Sequence, residues 1–110
     1  MHKKSLDIRE DDIVALTYSR CRESGIFQVD AIEQKEVLCK ALRTLSFGKE
    51  SNIVTEDCTD ILRIAYKDGS SQKIEIENDH IVIEGNRYQI TNGLKEIRGL
   101  LNHLYKAQEE

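Results

Sequence analysis

The chain has 110 residues, of which 39% are hydrophobic and 33% charged, and it carries a formal net charge of −4. That length supports one hydrophobic core and falls short of two ordinary domains. No apolar run approaches the roughly 20 residues that a membrane-spanning helix needs. The basic start Met1-His2-Lys3-Lys4-Ser5 leads into Asp7, Glu10, Asp11 and Asp12, without the apolar segment of an export signal.

The charge is unevenly spread. Residues 1–55 hold nine basic and nine acidic side chains, whereas residues 56–110 hold seven and eleven. Nucleic-acid binding calls for a basic stripe. Lys3, Lys4 and Arg9 are diluted by acids, and Arg20 and Arg22 read as a solvated strand end. The expectation is therefore no nucleic-acid partner. Three cysteines, Cys21, Cys39 and Cys58, form no CxxC pair and are odd in number. They read as free thiols in a cytoplasmic protein.

In chain order, residues 1–10 read as a loose lead-in. Residues 13–18, rich in β-branched side chains and ending in Tyr18, predict a strand. Residues 22–25 predict a turn, and residues 26–29 the returning strand of a hairpin. Asp30 followed by Glu33 resembles a capping box. Behind it Ile32, Val37, Leu38, Ala41, Leu42 and Leu45 make one apolar helical stripe, with Gly48 as the stop. Residues 49–60 read as a long polar loop with Ile53 and Val54 as anchors.

Alternation then sets in. Leu62, Ile64 and Tyr66 share one side of a strand, and Asp68-Gly69 is a hairpin signal. Ile74 and Ile76, then Ile81 and Ile83, then Tyr88 and Ile90 repeat the pattern, with turns predicted at Asn78-Asp79 and Gly85-Asn86. Thr91 or Asn92 is expected to cap a closing helix whose stripe is Leu94, Ile97, Leu100, Leu101, Leu104 and Tyr105, fraying after Ala107. The predicted fold is one α+β domain over residues 1–110: an antiparallel sheet with two amphipathic helices on one face, in the order β-β-α-β-β-β-β-α.

Sites of chemistry are scarce. There is no GxGxxG, P-loop or HExxH. His2, His80 and His103 stand apart from one another and from the cysteines, so no metal or other cofactor is expected. Glu56, Asp57 and Asp60 could attract a hard cation but lack the spacing and glycine of a calcium loop. Cys21, flanked by Arg20 and Arg22, is the best-placed candidate for a reactive thiol, and Cys39 reads as a buried small hydrophobe.

Three uses remain open. The first is a non-enzymatic protein-interaction or regulatory module, inhibitor-like in its acidity, with Glu56, Asp57 and Asp60 as a partner-contact loop. The second is a small-ligand domain with a pocket between sheet and helices lined by Tyr18, Tyr66 and Tyr88. The third is a small enzyme whose site does not announce itself in the sequence.

Overall fold

The computed structural model describes residues 4–20, 25–50 and 59–108. In chain order these form β1 (Lys4–Ser5), a 3-10 turn (Glu10–Asp12), β2 (Ile13–Arg20), β3 (Phe27–Gln28), α1 (Ile32–Thr44) and β4 (Ser46–Glu50). There follow β5 (Asp60–Tyr66), β6 (Ser71–Glu77), β7 (His80–Ile83), β8 (Asn86–Asn92) and α2 (Leu94–Gln108). All the strands join one antiparallel sheet in the order β1-β4-β8-β7-β6-β5-β2-β3. The α+β class therefore holds, but β1 and β4 are additional to the predicted order.

The meander runs as the alternation dictates. Leu62 pairs with Ile74, Ile74 with Ile83, and Ile76 with Ile81. Apolar side chains of adjacent strands therefore stack on one face. The turn after β7 is displaced by one residue from the Gly85-Asn86 expectation. Ile83 pairs with Asn86, which leaves Glu84 and Gly85 as the loop, at φ 51° and 83°. Two successive positive φ angles make a turn whose twist suits a two-residue hairpin, and Gly85 adopts its angle without a Cβ penalty.

Two segments depart further from the sequence reading. The first helix ends at Thr44, not at Gly48, because Leu45 is already extended. From there Leu45 and Phe47 are buried while Ser46 and Gly48 are only partly so, a period of two. Phe47 pairs with Ile90 and stacks on Tyr88 at 5.3 Å between ring centroids. The aromatic ring thus commits to the sheet a stretch that the sequence divides between the end of the helix, up to Gly48, and the start of the loop at Lys49. The lead-in is likewise structured over its described part. Lys4 and Ser5 pair with Phe47 and Ser46, and Leu6 and Ile8 enter the core.

One cluster of buried residues gathers the stripes of both helices with the inward face of the sheet. Leu38, Leu42, Ile97, Leu101 and Leu104, expected in the core, are all there. Asp30 does not cap α1: Ala31 occupies that position, with no side-chain cap. Thr91 and Asn92 belong to β8, so neither caps α2. Gly93, at φ 91°, precedes α2 instead, and a Cβ there would lie 3.3 Å from Leu45 Cα. The absence of a side chain lets α2 start against the end of α1.

Candidate functional site

The apolar stripe of α1 is wider than the core can take. Leu38, Ala41 and Leu42 are buried, but Val37 is 49% exposed and Ile32 71%. A lone exposed aliphatic is ordinary, and Ile32 is one: at about 100° per residue it stands roughly 140° around the helix from Val37. Val37 is different, because it meets a neighbour. It shares an open groove with Leu100 of α2, which is only partly buried.

That groove runs along the outside of the helix pair in two joined depressions. One, of about 200 Å³, lies between Glu33, Gln34 and Val37 of α1 and Leu100, His103 and Leu104 of α2. The other, of about 600 Å³, lies between Val37, Lys40 and Ala41 and the α2 residues Lys95, Gly99 and Leu100, with Thr44 and Glu96 at its rim. The early turns of α1 therefore face the later turns of α2, and Val37 and Leu100 are common to both depressions. Gly99 lies in the interior of α2, and nothing stands within 4 Å of where its Cβ would be. An exposed mid-helix glycine costs about 0.5–1 kcal/mol relative to alanine. No contact within the described residues accounts for that cost.

A second polar constellation joins β2, β5 and α2. Asp60 Oδ1 accepts the Tyr18 hydroxyl at 2.5 Å and Arg20 Nε at 2.7 Å. Arg20 also donates to Asn102 Oδ1 at 2.5 Å and lies 4.7 Å over the Tyr105 ring. Burial, then the Asp60 hydrogen bond, pushes the Tyr18 phenol well above its ordinary range. Burial opposes the Arg20 charge, but the bond and charge of Asp60 outweigh it and raise its pKa. Such a network ties the sheet to the closing helix.

Asp60 was expected to sit in a contact loop with Glu56 and Asp57. It belongs instead to β5, is 6% exposed and spends its carboxylate on Tyr18 and Arg20. Glu56 and Asp57 lie outside the described residues, as do Cys21, Cys58 and His2. Cys39 is buried, and that burial raises its thiol pKa. His103 stands exposed at the groove rim. His80 is buried, with Nδ1 2.8 Å from Asp79 Oδ1 but without the alignment of a hydrogen bond. Among the described residues no three His, Cys, Asp or Glu side chains converge as metal ligands. No described helix is long and apolar enough to cross a membrane.

The three tyrosines do not line one pocket. Tyr18 is in the core, Tyr66 donates its hydroxyl to Gln72, and Tyr88 packs on Phe47. Tyr88 also borders an open depression of about 350 Å³ with Ser5, Asp7, Phe47, Gln72 and Ile83. The apolar groove residues Val37 and Leu100 were visible in the sequence, but as members of the buried stripes. The signal that sets them apart is Gly99, a glycine in the interior of the closing helix. No protein-family model matches the chain, and comparison with curated proteins and with solved structures likewise returned no match.

Proposed function

We propose that this chain is a non-enzymatic protein-interaction module that docks a polypeptide along the outer groove between α1 and α2. The observation that supports this reading is the apolar floor of Val37 and Leu100, left open between the helices beside the buried Leu38, Ala41, Leu101 and Leu104. Val37 is already half buried, so covering it gains about half of the roughly 1.5–3 kcal/mol for burying a fully exposed aliphatic side chain, and a helix or strand laid in such a groove is a common mode of recognition. The acid-rich second half of the chain disfavours phosphate backbones, which supports a protein over a nucleic acid. Glu56 and Asp57 remain in the proposal as an auxiliary acidic contact. Asp60 leaves it, because changing Asp60 would disturb the Tyr18–Arg20 network before it reported on any partner. A small-ligand domain is the alternative, and the depression beside Tyr88 is where such a ligand would sit.

The test places a photo-crosslinking amino acid at position 37 or, as control, at Arg63, which is exposed on β5. Irradiation in native extract should join a polypeptide to position 37 and not to position 63. Equal yields, or none from position 37, would contradict the reading. A parallel pair with Glu56→Ser and Asp57→Ser reports whether the acidic segment contributes.

A further inference from the structure

We infer that the occupant of the groove is a second copy of this chain, docked across a two-fold axis near Val37 and Leu100. This inference rests on the docking reading above and names its partner.

The order of charges along the groove favours a second copy. One end carries Glu33, together with His103. The other carries Lys40, Lys95 and Glu96. A two-fold axis through the shared centre exchanges the ends. It brings Glu33 of one copy to Lys40 and Lys95 of the other, and His103 to Glu96. Each carboxylate then meets a base, while Val37 and Leu100 meet their own counterparts over an apolar floor. An isologous contact demands this kind of self-complementarity. An unrelated partner would place no such demand on the two ends.

Gly99 supplies an independent observation. It opens into the second depression, and nothing in the described residues packs where its Cβ would be. A bare backbone at that point admits close approach by another helix, as small residues do wherever helices pack tightly. Leu100 of the second copy is the side chain the symmetry delivers beside it, since Gly99 and Leu100 are adjacent on α2 and Leu100 meets its own counterpart. The charged ends fix register more than strength, and they are exposed, so salt weakens them.

Sedimentation velocity of the purified 110-residue chain over a wide concentration range tests this. The expected result is a monomer–dimer equilibrium. Val37→Asp and Gly99→Leu, both at exposed positions, should each weaken it at least tenfold. Glu33→Lys alone, and Lys40→Glu with Lys95→Glu alone, should weaken it too. Combining the three charge changes should restore dimerisation. A monomer at every concentration would overturn the inference, as would a dimer indifferent to Val37→Asp or a triple variant no better than its parts. If the chain is monomeric while position 37 still crosslinks to a different polypeptide in extract, the inference fails and the docking reading stands.

Discussion

Arg20 Nε and Asp60 Oδ1 lie 2.7 Å apart across the β2–β5 pair, at the position where the register sets the two residues opposite each other. Asp60 is buried and also accepts the Tyr18 hydroxyl, so its charge is held by two donors on one strand. Asp60→Ala should destabilise the chain by about 3 kcal/mol. That is the low end for breaking a buried pair, because Arg20 keeps partial solvent contact. Urea denaturation would measure it, and a loss below about 1 kcal/mol would mean the network is ornamental to stability.

Leu101 is fully buried in the cluster that joins α2 to the sheet. Leu101→Ala should cost about 2–5 kcal/mol in the same assay. Leu100→Ala, one residue away on the partly open face, should cost clearly less. The contrast between the two separates core packing from groove lining.

Asp68 accepts from the Ser70 amide and hydroxyl and from Arg9, and these bonds hold its carboxyl down at about 2, against an ordinary 3.8. A depressed carboxylate stabilises the fold above its unfolded pKa, and that contribution is lost as pH falls through the folded value. The window is therefore between about pH 4 and pH 2. An NMR titration should place the Asp68 midpoint near 2, and Ser70→Ala should move it upward. A midpoint unmoved by Ser70→Ala would contradict the assignment.

Gly99→Ala should raise the stability of the single chain by about 0.5–1 kcal/mol, since the added Cβ meets nothing and helix propensity improves. Thermal melts at low protein concentration would show it. A loss of stability would mean that Gly99 serves the fold itself.

The meander and both helices were legible because their signals are local: a period of two bounded by Asp68-Gly69 and Asn78-Asp79, and a helical spacing of leucines. What was not legible depends on distant partners. Ser46–Glu50 has a glycine and two charges, and only the pairing of Phe47 with Ile90 makes it a strand. Lys4–Ser5 is a strand only because that neighbour exists. Asp60 read as one acid of a loop, since nothing near it in sequence announces Tyr18 and Arg20, 42 and 40 residues away. Periodicity placed Val37 and Leu100 on apolar stripes correctly. It could not say that they would line an open groove between the two helices.

The central claim is that the α1–α2 groove is covered when the protein works. Val37 and Val14 are comparably exposed in the single chain, at 49% and 58%, on different elements. A soluble paramagnetic agent added to valine-methyl-labelled protein in native extract should broaden the Val14 methyls and spare those of Val37. Equal broadening of both would show the groove open to solvent and contradict the account.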